Sequence, residues 1–443
     1  MKPWIILGFL ISLLVFFVMI YSFFTNRAFW LFTIMYFVGC YYTFIALFGA
    51  FWDHKKPTDD PDFRPLVTVM IPMKNEADVI TDTVNDLKAQ DYYYRGRSKL
   101  EIILVDDNSD DDTVKVVQSL FGSGRNGSKH MLKLVRNPGP VHGKPAALNR
   151  GLKQARGEII CVFDADARIP PDFIKNAVPY FRDSEVGGVQ GKVRIYNKHD
   201  NSLTEIQDDE FASFNRAVQR SRDSIGGAVA LGGNGQLTRK TAIQQAGGWK
   251  EGSITEDLEL SIRLYAKGWK IRYSENSTVY QEAVTSLKAL FRQRTRWSQG
   301  HIETFLEMSP TVVMNPRIHP MKKLDLMIYL SGIMTPGFVF MSYFFGFIAL
   351  ISPIWFSSGV NDLLWIWASI AFIPVVYWGL FKEVSKNPLD LFFRSMRIFL
   401  FCFHWIPTFF MGWYGALKSG FSNGHPKWEK TKHNGAVILL DIF

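Results

Sequence analysis

The sequence predicts an α/β domain, a parallel sheet with helices on both faces, inserted between membrane-spanning helices. Three observations carry that prediction. Two apolar runs at the start of the chain are each long enough to cross a bilayer. Strand-like and helix-like segments alternate through the polar region that follows. The acidic motifs of that region fall where its strands are expected to end.

No charged residue occurs from position 3 to 26, and none from 28 to 52. A helix needs about 20 apolar residues to cross hydrocarbon, so residues 1–52 are expected to form two spans hinged at Arg27. A cleaved signal peptide is the alternative, but the first run lacks a sizeable basic flank or a small-residue cleavage site, and a second span follows at once. His54, Lys55 and Lys56 come next. Basic residues beside a span mark the cytoplasmic side, where the polar domain, residues 53–285, is therefore expected. Residues 286–323 read as amphipathic interface helices, 324–417 as transmembrane or interfacial helices, and 418–443 as a basic cytoplasmic tail.

Within the C-terminal part, 326–356, 363–381 and 398–417 are candidate spans, the first containing Pro336. Three spans would leave the tail outside, whereas Lys418, Lys427, Lys430 and Lys432 argue for the inside. Arg394 and Arg397 precede the last run, so the helix there is expected to lie in the interface or re-enter. Four or five spans result, in a multi-pass protein of the plasma membrane.

Composition agrees. Of 443 residues 47% are hydrophobic and 37 are Phe, heavy for a soluble enzyme. The net charge of +9 raises nucleic acid as a partner, but the basic residues are dispersed and no nucleic-acid motif is present. Sugar diphosphates and anionic lipid fit better. Cys40, Cys161 and Cys402 are scattered, without metal-ligand spacing or an even count, and read as packed thiols.

In the polar domain, 66–72, 101–107, 132–136 and 159–166 read as strands buried on both faces, and 75–90, 111–122, 144–156 and 171–181 as the intervening helices. That alternation implies a parallel sheet with right-handed crossovers. Ligands of such sheets bind beyond the carboxyl ends of the strands. Asn75-Glu76, Asp106-Asp107 and Asp164-Ala165-Asp166 are thereby expected on one rim.

Two carboxylates two residues apart, Asp164 and Asp166, can reach one hard divalent cation, Mg²⁺ or Mn²⁺, that takes its other ligands from phosphate and water. A solvated acidic turn is the plain alternative. Asp110, Asp111 and Asp112 read as helix caps. Ser253-Ile254-Thr255-Glu256 has capping-box spacing, which would put Asp257 just beyond the first turn of a helix reaching about Gly268. A carboxylate there can take a proton from a hydroxyl or merely complement the helix dipole. Residues 286–305 are helical in pattern, and Gln293 and Trp297, four apart, share a side. Gly232-Gly233-Asn234-Gly235-Gln236 reads as a tight turn or a place where backbone meets a ligand.

These motifs, in this order, resemble the membrane-bound family 2 glycosyltransferases, the group of cellulose, hyaluronan and poly-N-acetylglucosamine synthases. By motif the resemblance covers residues 64–304. It rests on Asp164-Ala165-Asp166, on Thr255-Glu256-Asp257 about ninety residues later, on Gln293-Arg294-Thr295-Arg296-Trp297, and on His142-Gly143-Lys144-Pro145-Ala146-Ala147-Leu148-Asn149. The last has Ala146 where the family often has Gly.

The resemblance implies a GT-A fold and inverting, metal-dependent transfer from a UDP-sugar. It implies that Glu76 reaches the nucleoside, that Asp106 and Asp107 contact the base, and that Lys144 lies near the donor. Asp164 and Asp166 would serve the cation and diphosphate, and Asp257 would be the general base with Glu256 beside it. Gln293 and Arg296, with Arg294 next to them, would hold the diphosphate, and Trp297 would stack on an acceptor sugar. Gly233 and Asn234 would lie in the acceptor loop. A processive polysaccharide synthase that passes its product through the membrane is the leading expectation. Asn234-Gly235-Gln236 looks closer to bacterial synthases that glucosylate diacylglycerol, which makes a glycolipid synthase the second. A transporter or inactive scaffold comes third, because the spans hold almost no carboxylates and every expected catalytic position is filled. The tail segment Lys427-Trp428-Glu429-Lys430-Thr431-Lys432 resembles one that covers the donor site in some relatives.

Overall fold

The computed structural model describes residues 56–121, 131–341, 344, 372–381 and 383–421, with Tyr41, 43–46 and Gly49. The two N-terminal spans, much of the candidate spans 326–356 and 363–381, and the tail segment fall largely or wholly outside them.

Seven strands form the main sheet, in the order β5-β4-β1-β6-β8-β7-β9. They are β1 (Val67–Met73), β4 (Leu100–Asp106), β5 (Met131–Arg136), β6 (Ile159–Val162), β7 (Val186–Ile195), β8 (Gln236–Arg239) and β9 (Lys270–Gln281). A hairpin of β2 (Tyr93–Tyr94) and β3 (Arg97–Ser98) stands apart. The first four neighbours are parallel, as expected. The whole is mixed, however, because β8 runs antiparallel to both β6 and β7. The expected all-parallel sheet is corrected by this one short strand, whose Gln, Thr and Arg show none of the apolar run that marked the others.

The helices are α1 (Ile80–Lys88), α2 (Thr113–Ser119), α3 (Lys144–Leu152), α4 (Phe173–Ala177), α5 (Ser202–Phe214), α6 (Lys240–Ala246), α7 (Glu256–Ala266), α8 (Leu287–Met314), α9 (Pro320–Ser331), α10 (Phe372–Leu380), α11 (Pro388–Phe401) and α12 (Trp405–Phe421). Helix α5 runs on through a π-helical stretch, Asn215–Arg220. Period-2 alternation sends β1 and β4 side chains to opposite faces. Val67, Val69, Ile71, Leu100, Ile102 and Leu104 pack under α1, α2 and α4, while Met70, Ile103 and Val105 join residues of α3, α6 and α7. Both faces are thus covered, the condition under which parallel strands read as continuous apolar runs.

Among the described residues, Pro320–Met341 and Pro388–Gly420 are helices long and apolar enough to cross a membrane. Arg394 and Arg397, on α11, turn toward the sheet domain and pair with Glu205 and Asp209 of α5 at 2.6–3.0 Å. Leu389, Phe392, Phe393 and Leu400 of the same helix are exposed. Its charged residues and Leu391 and Ile398 therefore face the domain, while a further apolar face is exposed.

Candidate active site

The register of the strands builds the rim. Met73 stands opposite Asp106, and Asp106 opposite Arg136, so the loops after β1, β4 and β5 leave side by side. Asn75 and Asn108 take left-handed backbone, φ 58° and 63°, a region Asn tolerates better than most residues. Asn75 N–H donates to Ser109 Oγ (3.0 Å), and Asp110 N–H to Asn75 Oδ1 (3.0 Å). Buried Glu76 is held by its own N–H on Thr113 Oγ1 at 2.7 Å. Asp106 accepts Ser109 N–H.

Asp107 is an acceptor for three groups: Asn137 Nδ2 (2.7 Å), the Gly143 N–H (2.6 Å) and the His142 ring, whose Nδ1 lies 3.2 Å away. Asn137 and His142 were missed as site residues. His142 adjoins the Gly-Lys motif and could have been flagged; Asn137 carried no signal of its own. Of the aspartates expected as caps, Asp111 accepts the Thr113 N–H at 2.9 Å, whereas Asp112, which holds the N-cap position of α2, makes no side-chain capping bond.

Gly143, with φ 105°, caps α3, a conformation that excludes most side chains. It starts the helix at Lys144, and Pro145 suits the first turn because its missing N–H has no partner there. Lys144 Nζ donates to Asp164 Oδ1 (2.5 Å) and to the Gly233 carbonyl (2.7 Å), and lies 3.7 Å from Glu256 Oε1. Burial opposes its charge, but Asp164 and Glu256 outweigh that and hold its pKa above the ordinary range.

Strand β6 stops at Val162, short of Asp164. The Asp164-Ala165-Asp166 turn is clamped from below by buried Thr83, whose hydroxyl lies 2.7 Å from the Ala165 carbonyl and 2.9 Å from that of Ala167. Because Gln236 stands opposite Val162, the loop before β8 returns to the same rim. Asn234 Oδ1 accepts the Asp164 N–H (3.3 Å). Gln190 of β7 holds the loop by accepting from Gly232 N–H (2.7 Å) and donating to the Asn234 carbonyl (2.9 Å). Gln190 lies in a strand the sequence did not reveal. Asn234 Nδ2 is buried without a hydrogen-bond partner among the described residues.

Helix α7 begins at Glu256, with Thr255 as its N-cap and no side-chain capping bond. The expected capping box is absent because the helix begins later than that spacing implies, with Thr255 rather than Ser253 at the N-cap; Thr255 Oγ1 pairs with Thr304 Oγ1 of α8 (3.0 Å). Asp257 therefore lies in the first turn, and its Oδ1 accepts the Leu258 N–H at 2.7 Å. A Cβ on Gly233 would stand 3.4 Å from Asp257 Oδ2 and 2.9 Å from Lys144 Nζ. Burial raises the Asp257 pKa against the pull of Lys144. Burial also pushes Glu256 up to about 7, with Lys144 opposing and Asp257 adding to the rise.

Asp164, Lys144, Gly233, Asn234, Glu256 and Asp257 are thus one cluster. Gln293, Arg296 and Trp297 are half-buried on α8, which abuts the cluster where Gly300 meets Thr255. Arg294 is directed into the protein, 3% exposed and paired with Glu210. Asp164 and Asp166 are two hard oxygen donors, and no group of three or more metal-ligating side chains occurs among the described residues. That set fits a cation completed by substrate phosphate.

A mixed sheet with this acidic rim defines a GT-A glycosyltransferase. The chain belongs to glycosyltransferase family 2: the model described as "Glycosyltransferase like family 2" matches residues 64–300, and a "Cellulose synthase" model matches 234–392. It is 31% identical over 397 residues to a beta-monoglucosyldiacylglycerol synthase of Synechocystis sp., covering 84% of this chain and 76% of that protein. It is 30% identical over 275 residues to a poly-beta-1,6-N-acetyl-D-glucosamine synthase of Staphylococcus aureus, covering 62% of this chain and 64% of that one. In fold it is similar to the mannosyltransferase PcManGT from Pyrobaculum calidifontis, solved with GDP-Man and Mn²⁺: TM-score 0.63, 20% identity, covering 88% of this chain and 97% of that one.

Proposed function

We propose that the chain transfers a sugar from a UDP-sugar to a lipid hydroxyl at the cytoplasmic membrane face, inverting the anomeric centre to give a β-glycolipid. The observation that carries this reading is the position of α8. On one side its Gly300 and Thr304 meet Thr255, beside Asp257. On the other, Gly412 and Gly415 of apolar α12 pack on Ser298 and Gln299. One helix thus separates the carboxylate cluster from apolar surface. Similarity to the glucosyldiacylglycerol synthases over 84% of the chain supports the same reading, and on that support we put the glycolipid ahead of the polymer expected first. The polymer reading stands second, favoured by the cellulose synthase match over 234–392.

In this mechanism Asp257 takes the proton of the acceptor hydroxyl. The freed oxygen bonds to the anomeric carbon, and the bond from that carbon to the diphosphate oxygen breaks, its electron pair leaving with the UDP. Burial favours the protonated acid, so Lys144 is what keeps the base ionisable. Glu76, Asp106 and Asp107 face the nucleoside, Gln293 and Arg296 the diphosphate, and Trp297 offers an indole face to the acceptor. A divalent cation held by Asp164 and Asp166 would supply positive charge at the leaving diphosphate. Lipid-reconstituted protein given radiolabelled UDP-sugars with Mg²⁺ or Mn²⁺ tests the reading: label in an organic-soluble product is expected, and label in a large water-soluble or insoluble polymer overturns it.

A further inference from the structure

We infer that Arg294, Glu210 and Trp405 form a positioning triad for Trp297, setting which face of that indole meets the acceptor and linking it to the apolar helix α12. The inference rests on the reading of Trp297 as the acceptor platform. Arg294 is one residue of a motif expected to supply donors to the diphosphate, yet its guanidinium is engaged elsewhere. Its carbon centre lies 4.2 Å from the Trp297 ring centroid and 5.1 Å from that of Trp405. Nη2 donates to Glu210 Oε2 at 2.6 Å. The other carboxylate oxygen of Glu210 accepts Trp405 Nε1–H at 3.2 Å. One carboxylate therefore ties α8 to the first residue of α12.

The arrangement has a geometric consequence. A cation over an aromatic ring occupies one π-face, so Trp297 keeps only the opposite face for a ligand. Phe211, next to Glu210 on α5, meets Trp297 edge-on at 6.5 Å and 87°, which fixes the rotation of the indole. Arg294 Nε has no hydrogen-bond partner among the described residues. Its charge is thus balanced by Glu210 and its orientation set by stacked rings. A buried arginine stripped of its carboxylate is strongly destabilising. A diphosphate that recruited Arg294 would have to break that pair and uncover one face of Trp297. Arg296, two residues on, is half-buried and is the arginine this reading assigns to the donor.

The test separates positioning from donor binding. Glu210→Gln removes the charge and keeps the shape, Arg294→Lys keeps the charge and loses the planar stack, and Trp405→Phe keeps a ring and loses its Nε1–H. In the reconstituted full chain, the acceptor KM is expected to rise about tenfold in the first two and by less in Trp405→Phe, in line with loss of a hydrogen bond to a charged group. The affinity for UDP with Mn²⁺, by calorimetric titration, is expected to stay within about twofold. Weakened UDP binding with an unchanged acceptor KM would make Arg294 a donor ligand and overturn the inference. So would a Trp405→Phe or Glu210→Gln protein of normal melting temperature with both constants unmoved. The acceptor is whichever species takes up label, so a polymer product overturns the glycolipid reading and leaves this test intact.

Discussion

The donor half of the site and the acceptor half are held by different kinds of force. Asn75, Glu76, Asp106, Asp107 and Asp164 close or follow β1, β4 and β6, three adjacent strands in parallel register. Ladder hydrogen bonds fix their spacing, and short polar contacts stitch loop to loop. Asp257 and Trp297 ride on helices instead. Their relative positions depend on close approach at Gly300, on the Thr255 to Thr304 contact, and on buried ion pairs joining residues far apart in sequence. The donor half should therefore be rigid and local, the acceptor half dependent on packing. Lys144 touches both, through Asp164 on one side and Gly233 and Glu256 on the other.

The sharpest division comes from Asp257→Asn. If the base belongs to the acceptor half alone, turnover should fall by about 10²–10⁴, the usual contribution of acid–base catalysis, while calorimetric UDP affinity is kept. Unchanged turnover removes Asp257 from the mechanism. Lys144→Met should damage both halves at once, weakening UDP binding and lowering turnover. It should also displace the rising limb of the pH–rate profile. A base must be ionised, so rate climbs with pH through the pKa of Asp257, which burial already raises and Lys144 lowers. Without Lys144 the limb is expected to move to higher pH; an unmoved limb means that the lysine does not set the base.

Gly233→Ala probes the seam between the halves. The added methyl meets Lys144 Nζ and Asp257 Oδ2. Displacement of reacting groups by around 1 Å can cost about 10²-fold in rate. Turnover is expected to fall by about tenfold, with the melting temperature within a few degrees of the parent, since the nearer atom is the end of a flexible side chain. A loss of stability without loss of rate would show the loop to be a scaffold only.

The same division explains what the sequence made legible. Val, Ile and Leu runs buried on both faces announced β1, β4 and β6, and with them the rim and its acids. The mixed character of the sheet was hidden because Gln236 and Thr238 of β8, though buried, are polar. Gln190 went unseen for the same reason, being a loop clamp on an unrecognised strand. The Ser253 to Glu256 spacing suggested a capping box from local chemistry, but the helix starts later, with Thr255 at the N-cap and its hydroxyl held by a tertiary partner, Thr304. Arg294 read as a substrate donor from its motif, while its partners Glu210, Phe211 and Trp405 lie on two other helices. Local pattern encodes backbone-held sites; partners brought in by helix packing leave no mark in a linear reading.

The smallest of these effects is one of stability, and its sign differs between the halves. Glu101 is buried in β4, where it accepts from Thr68 (2.6 Å), Lys133 (2.6 Å) and Arg156 N–H (2.7 Å). Burial pushes its pKa up, but the bonds from Lys133, Thr68 and Arg156 win and lower it from 4.5 to about 2. A depressed carboxylate stabilises the fold above its unfolded pKa, and that contribution is lost as pH falls through the folded value. Glu101→Gln should thus lower unfolding free energy at pH 7 by on the order of 3 kcal/mol, a gap that closes toward pH 2. Glu256 is the reverse case, raised from 4.5 to about 7 by burial. Its contribution is present below 4.5 and lost as pH rises through about 7, so Glu256→Gln should raise the melting temperature at pH 8 relative to the parent and gain little at pH 4. Melting curves of both variants at pH 4 and pH 8 decide the matter. Two curves shifted in the same direction at pH 8 would mean that the cluster around Asp257 is held as comfortably as the strands, and that the acceptor half carries no electrostatic strain.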